Sequence, residues 1–214
     1  MVLTYPRELP DYLLADGGLD LIENVAMSPS GEDAFMNLSQ VSDPVWRFRL
    51  RTVSMYLVDL ARWVSWKKSL RGGFRSFIAY DPRWARPLAY PLANSPGAIS
   101  PGWNGTGTVA ALGAGGVLSL SGLPVGYQIT AGDRIGIEQG GRRGYYEALE
   151  SVTTDAGGAA TVTVAPFLHT VFFSVGALAR LWRPACELII DWQTWREEGD
   201  PNYIAVSFEA WQKL

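Results

Sequence analysis

The segment AGDRIGIEQGGRRGYYEALESV, residues 131–152, contains two runs in which apolar and polar residues alternate. The first run is Arg-Ile-Gly-Ile-Glu, and the second places Tyr146 on one face and Tyr145 on the other. The glycine-rich stretch at 140–144 separates them. Period-2 alternation on both sides of a glycine-bearing loop is typical of a β-hairpin. We therefore predict a hairpin whose turn lies at 140–144.

Further short alternating runs surround this hairpin and are separated by turn sequences such as GLPVG and TDAGGAA. The predicted strands of this region are 107–112, 116–121, 132–138, 145–152 and 159–165, with a closing strand at 177–184. Several short strands at this spacing are typical of a small barrel or sandwich. The stretch at 91–116, rich in Gly, Pro, Ser and Asn, predicts the connection into this unit.

A second kind of strand precedes that connection. In VWRFRLRTV, residues 45–53, large apolar side chains alternate with arginines, so a strand here has two unlike faces. The predicted buried face consists of Trp46, Phe48 and Leu50. The opposite face consists of Arg47, Arg49 and Arg51, for which we predict contact with solvent or a neighbouring subunit. A phosphate-binding face is the alternative for this row of arginines.

After this strand, the spacing of the apolar residues changes from that of a strand to that of a helix. Apolar residues at Leu57, Leu60, Ala61 and Val64 follow the i, i+3, i+4, i+7 spacing of a helix, which we predict over 54–71. Ser54 is the predicted N-cap, and the glycine pair at 72 and 73 supplies a left-handed stop. The remaining predicted extended segments are 18–31, 35–41, 74–82, 186–195 and 203–211.

Together these patterns predict a mainly β fold: a β-sandwich-like domain with one α-helix, interrupted by a small β-barrel. The first domain is predicted over 1–95 plus 185–214, and the inserted barrel over 96–184. The termini of an inserted domain usually lie close together, which fits the turn-rich junctions after Pro91 and Pro184.

Composition narrows the class of function. The 214 residues are 48% hydrophobic and 18% charged, which is typical of a packed globular protein and not of a disordered one. The net charge of −3 argues against nucleic-acid binding as the main role. We find no signal peptide, no disulfide framework and no run of about 20 apolar residues that would span a membrane. Synthesis in a cytoplasm is the expectation.

The residues that usually perform catalysis are few. The only histidine is His169 and the only cysteine is Cys186, so a zinc site of the usual Cys/His kind is not expected. The glycine-rich stretch at 112–122 does not match a phosphate-binding loop. We assign Glu197, Glu198 and Asp200 to a solvated loop. We therefore predict no catalytic residue, cofactor or metal, and a protein that is not an enzyme.

Aromatic residues point instead to contact surfaces. Nine tryptophans are many for this length, and Trp103 lies in the loop sequence SPGWNGTG, where an exposed ring can stack on a sugar or a partner. Trp103, Tyr145 and Tyr146 are the candidate residues for partner or sugar contact. A carbohydrate-binding module is accordingly one of the functions that we consider.

Two segments carry a resemblance to a known family. LSGLPVGYQITAGDRIGIEQGGRRGYYEALESVTTDAGGAATVTVAPFL, residues 120–168, is followed by ALARLWRPACEL, residues 177–188. A helix ending in Leu-Arg-Gly-Gly and a strand closing in Asp-Pro precede them in 66–90. This order of elements resembles the distal tail proteins of long-tailed, siphovirus-like bacteriophages and related gene-transfer particles, over roughly residues 60–190.

The resemblance implies a structural role. It suggests a virion protein that forms a ring, typically a hexamer, at the distal end of the tail, and an inserted barrel of the oligonucleotide/oligosaccharide-binding (OB) type. The implied partners are the tail tube protein, the tail hub or tip proteins and, through the barrel, a saccharide of the host surface. The ring would join the tube to the host-recognition apparatus and leave a channel for DNA. A tail-completion or tail-tube protein is the alternative within this class.

Overall fold

The computed structural model describes residues 3–11, 14–29, 36–200 and 202–214. The first six strands are β1 (Arg7–Glu8), β2 (Leu14–Ile22), β3 (Val25–Pro29), β4 (Met36–Gln40), β5 (Val45–Thr52) and β6 (Phe77–Tyr80), with helix α1 (Leu57–Ser69) between the last two. The next strands are β7 (Thr106–Leu112), β8 (Val117–Ser121), β9 (Gln128–Ile129), β10 (Arg134–Gln139) and β11 (Arg142–Ala148). The last are β12 (Val152–Thr153), β13 (Ala160–Ala165), β14 (Leu178–Arg180), β15 (Ala185–Asp200) and β16 (Tyr203–Gln212).

The described strands form one open sheet, one closed barrel and two short ribbons, which confirms the mainly β fold with one α-helix and a small barrel. The open sheet has six strands in the order β1-β6-β15-β16-β5-β2. All of its neighbouring pairs are antiparallel except β1 and β6. The predicted segments at 18–31 and 35–41 coincide with β2, β3 and β4, although part of each lies outside the described residues.

The assignment of Glu197, Glu198 and Asp200 to a loop is wrong. All three belong to β15, where Glu197 lies opposite Val206 and Asp200 lies opposite Tyr203 in β16. In β15 every residue from 196 to 200 is exposed, so the sequence of this strand lacks there the alternation by which strands are recognised.

Helix α1 covers one face of the sheet. It buries Leu60, Trp63 and Trp66 against the strands, while Leu57 of the predicted stripe is exposed. The helix begins later than predicted, and Ser54 is not its N-cap: that position is Tyr56, which makes no side-chain capping bond. The physical reason is a bridge between Met55 and Ile204 of β16, which keeps the backbone extended up to the helix start.

The helix ends at Ser69, before the predicted end at 71, and Arg71, with φ of +51°, is the first residue after it in the left-handed conformation. Gly72 and Gly73 have φ values of +68° and +97°, the left-handed conformation that glycine adopts without steric cost. Beyond them the chain returns to the sheet as β6. Phe77 of β6 and Phe208 of β16 pack ring to ring with Trp66, at centroid distances of 5.1 and 5.9 Å from the Trp66 ring. This aromatic cluster fixes the helix on the sheet.

The barrel is closed by six antiparallel strands in the order β10-β11-β13-β8-β7-β14. The OB fold has five strands, so this barrel has one more than the OB-type barrel that the resemblance implies. Its interior contains the inward side chains of all six strands, among them Val109, Leu118, Ile135 and Tyr146.

The opening hairpin is β10–β11, as predicted, but its turn is shorter. Only Gly140 and Gly141 connect the strands, with φ of +58° and +82°, and Arg142 already pairs with Gln139. Two consecutive residues with positive φ make a two-residue turn whose twist matches that of the strands. The two arginines that follow are therefore part of β11 and not of the loop.

The chain enters and leaves the barrel at one place. The backbone N–H of Arg183 donates to the carbonyl oxygen of Ala85 at 2.9 Å. Contacts with the barrel begin soon after that point: the backbone N–H of Leu88 donates to Asp133 at 2.7 Å, and the Tyr90 ring stacks on Tyr127 at 5.3 Å. The predicted boundary at residue 96 thus lies after two contacts with the barrel.

These contacts predict how fragments behave. A fragment of residues 86–184 should unfold cooperatively at a higher temperature than a fragment of 96–184. The shorter fragment leaves Asp133, which is 5% exposed, without one of its two backbone donors and removes the stack on Tyr127. Each loss is worth on the order of 1 kcal/mol or more. Thermal denaturation of the two fragments measures the difference, and equal midpoints would contradict it.

Candidate assembly interface

Strands β2 to β5 form one long hairpin whose two halves have different surroundings. The inner half is the pair β2–β5, which extends to Ile22 opposite Val45 and is part of the six-stranded sheet. The outer half is the pair β3–β4, which begins with Val25 opposite Gln40 and forms a separate two-stranded ribbon. We call this outer half, Val25–Pro29 with Met36–Gln40, the arm.

The arm has an apolar face and a polar face. The strand register places Val25, Met27, Met36 and Leu38 on the apolar face, where they are 41%, 67%, 62% and 62% exposed. Ala26, Ser28, Asn37 and Ser39 lie on the other face. An isolated two-stranded ribbon is marginally stable in water, and contiguous exposed apolar side chains usually mark an interaction site. The methionines add flexible, adaptable contact area.

The predicted alternation in β5 is confirmed. Trp46, Phe48 and Leu50 are buried, Arg49 and Arg51 are exposed, and Arg47 is half-buried. The row of arginines does not stand alone on its face. Arg49 forms an ion pair with Asp20 at 2.9 Å, and Arg51 lies 3.8 Å from Glu198. Arg47 lies over the ring of Trp211 at 5.8 Å.

The same face holds a shallow trough of about 510 Å³. Its charged lining comprises Asp16, Arg49, Arg51, Asp191, Arg196 and Glu209. Carboxylates and guanidiniums are thus interspersed, whereas a phosphate-binding stripe requires an excess of positive charge. A surface with both signs of charge is suited to a partner of complementary charge, since such pairing fixes register and orientation.

Tyr145 and Tyr146 are not available for stacking on a sugar, because both are buried. Tyr146 lies inside the barrel, where burial raises its pKa to about 12. Tyr145 points out of the barrel into the core between sheet and helix. There its backbone carbonyl accepts a hydrogen bond from Nε1 of Trp46 at 2.7 Å, and the two rings meet edge to face at 5.0 Å.

Trp103, the third candidate for sugar contact, is half-buried on the barrel surface. Its Nε1 donates to the carbonyl of Thr106 at 2.7 Å, and its ring packs edge-on against Tyr127 at 5.0 Å. The structure therefore does not bring the three candidate residues together. Alternation along a strand could not show this, because both faces of β11 are covered, one by the barrel and one by the sheet.

His169 and Cys186 both lie among packed side chains. The ring of His169 packs between Tyr146 and Phe172, and partial burial lowers its pKa. Cys186 is fully buried, which raises its pKa well above the usual range. Within the described ranges, no group of three or more His, Cys, Asp or Glu residues is placed to hold a metal ion. No helix in that part of the chain combines the length and hydrophobicity of a membrane span.

No protein-family model matches the chain, and a search of curated proteins finds no relative. The arm, the face of mixed charge and the sequence motifs are therefore the features of this chain that bear on its function.

The two faces of β5 predict opposite effects of substitution. Phe48→Ala should destabilise the fold by about 3–5 kcal/mol, because the Phe48 side chain is fully buried and its truncation leaves a cavity in the core. Arg49→Ala should cost at most about 1 kcal/mol, since its ion pair with Asp20 is exposed. Denaturant unfolding of both variants measures this, and similar losses of stability would show that the two faces are not distinct.

Proposed function

We propose that this protein is a structural subunit of a bacteriophage tail, one that forms a ring at the distal end of the tail tube. The arm is the observation that carries the proposal. It exposes four large apolar side chains on a two-stranded ribbon that lies outside the six-stranded sheet. The sequence resemblance and the mainly β fold with an inserted barrel support the same assignment.

A ring requires each subunit to present two different surfaces, since every subunit contacts one neighbour on each side. An arm that projects from the sheet supplies one of these surfaces. Complete burial of a Met or Leu side chain contributes on the order of 1.5–3 kcal/mol. Because the arm is small, the free energy gained by burying its apolar face is only slightly larger than the entropic cost of association. The face with mixed charge beside the trough is then the natural second contribution to the contact.

The proposed ring leaves a channel for DNA. A channel lined with lysine and arginine would bind the phosphates and release counterions, so DNA would be held and not conducted. The net charge of −3 and the ion pairs of Arg49 and Arg51 are consistent with a conduit. The partners in this proposal are further copies of the chain, the tail tube protein and the tail hub or tip proteins.

The structure gives less support to the alternative of a carbohydrate-binding module. Two of the three candidate residues for sugar contact, Tyr145 and Tyr146, are buried.

Substitution on the arm tests the assembly. The purified protein should form a closed cyclic oligomer, most simply a hexamer, visible by negative-stain microscopy and by light scattering. Leu38→Asp should shift the oligomer towards the monomer, because it places a charge on the apolar face. Its thermal stability should remain unchanged, since Leu38 is 62% exposed.

Ser39→Asp is the matched control, because it adds the same charge at the neighbouring position on the polar face. It should leave the oligomer intact. Dissociation by both variants to the same extent would show that the arm's apolar face is not the contact. An open polymer in place of a closed ring would identify a tail-tube protein instead.

The conduit is tested by DNA binding. Duplex DNA should bind no more tightly than micromolar at physiological salt, because described carboxylates pair with Arg49 and Arg51. Fluorescence anisotropy over a range of salt concentrations measures both affinity and salt dependence. Tight binding with a steep dependence on salt would contradict the conduit and would support a nucleic-acid role for the arginines of β5.

A further inference from the structure

A cleft of about 490 Å³ lies between the barrel and the edge of the sheet, away from the arm. Its lining includes Glu8, Tyr80, Arg143, Arg180, Trp182 and Arg183. Three guanidiniums and one carboxylate thus face the same space, together with two aromatic side chains. The volume is that of a pocket for a small ligand and not of an extended groove.

The positive charge of this cleft is only partly neutralised. Behind its wall, a single carboxylate oxygen of Glu138 accepts from Nε of Arg180 at 2.7 Å and forms an ion pair with Arg143. The Arg143 and Arg180 side chains are 24% and 33% exposed, so both guanidiniums are partly withdrawn from water. One carboxylate shared by two guanidiniums leaves hydrogen-bond donors and positive charge for a further anion.

The third arginine is held in an unfavourable backbone conformation. Arg183 has φ of +47°, in the left-handed region that residues with a Cβ rarely occupy. Its backbone N–H is tied to Ala85, and its guanidinium lies over the Tyr80 ring at 5.5 Å. Strained residues of this kind cluster at ligand clamps, because surrounding structure must hold them there. In this conformation Arg183 lines the cleft together with Arg143 and Arg180.

The neighbouring Trp182 offers an aromatic surface beside these charges. The residue is half-buried, and its Cβ approaches Gly105 so closely that a Cβ added to Gly105 would lie 2.4 Å away. This close packing fixes the base of the tryptophan side chain. A ligand that fills the cleft would therefore place its anionic group on the arginines and a ring-shaped body against Trp182.

We propose that this cleft binds a saccharide that carries a phosphate or a carboxylate. Guanidiniums match the planar, two-oxygen geometry of both anions, and an aromatic side chain supplies an apolar face for a sugar ring. A long nucleic acid does not fit, because Glu8 interrupts the positive lining on the sheet side. The inference does not depend on ring assembly, since neither the arm nor the trough contributes to the cleft.

The first test uses ligands of defined chemistry with the full-length protein. Glucose 6-phosphate and glucuronate should bind, as followed by NMR chemical shifts, whereas glucose should bind at least about tenfold more weakly because it lacks the anion. The two charged sugars distinguish a phosphate ligand from a carboxylate ligand. Inorganic phosphate should bind more weakly than glucose 6-phosphate. Tighter binding of adenosine monophosphate than of both charged sugars would overturn the saccharide assignment.

The second test separates binding from stability. Arg183→Gly should reduce affinity for glucose 6-phosphate at least about tenfold and leave the melting temperature unchanged or higher, because glycine adopts a φ of +47° without strain. Arg142→Ala is the matched control: Arg142 lies in the same barrel, but over Phe172 and not in the cleft. Equal loss of affinity in the control would show unspecific attraction, and undiminished affinity in Arg183→Gly would overturn the site.

A third variant tests the aromatic contact. Trp182→Ala should weaken binding of glucose 6-phosphate more than binding of inorganic phosphate, because only the sugar contacts the ring. Circular dichroism establishes that the variant is folded, and Trp182→Phe provides a smaller change at the same position that should retain most of the affinity. Equal weakening of both ligands by Trp182→Phe would show that no sugar lies against this side chain.

Discussion

Two consecutive residues of one strand, Tyr145 and Tyr146, belong to two different hydrophobic cores. Successive side chains of a β-strand point to opposite faces, so β11 can close the barrel with one tyrosine and cover the sheet with the next. The hydrogen bond from Trp46 to the carbonyl of Tyr145 joins β5 to the same point. The guanidinium of Arg134 lies between the rings of Trp46 and Trp84, at 5.1 and 4.9 Å, and also pairs with Glu147. The relative position of barrel and sheet depends on this junction.

Three surfaces of different chemistry surround this fixed junction. The arm is apolar, the outer face of β5 carries both signs of charge, and the cleft beside the barrel is predominantly cationic. The local geometry explains each of them. The arm is the part of a hairpin that extends past the sheet, the charged face is one side of a strand with two unlike faces, and the cleft is cationic because two of its arginines share one carboxylate. Because these surfaces are separate, the proposed contacts between subunits and the proposed binding of a small ligand would not compete.

The sequence predicted the elements of this fold better than its surfaces. Alternation in 45–53 identified β5 and both of its faces, and two glycines identified the hairpin of the barrel. Alternation of apolar and polar residues identifies a strand with one buried face. They could not show that Tyr145 is covered by a distant sheet, nor that Glu197 and Asp200, in an exposed stretch without alternation, belong to a strand. The cleft was also missed, because Glu8, Arg143 and Arg183 are far apart in the chain and meet only through the packing of barrel on sheet.

The hydrogen bond between Ala85 and Arg183 closes the barrel region into a loop with a narrow neck. Because the two connections lie side by side, the barrel can be lost, gained or exchanged during evolution with little change to the backbone of the sheet. The junction sets one condition on that exchange. A replacement must supply an aromatic side chain where Tyr145 enters the core and an acceptor for the indole N–H of Trp46. Loss of the barrel without that replacement would leave a buried donor unpaired and a gap between sheet and helix.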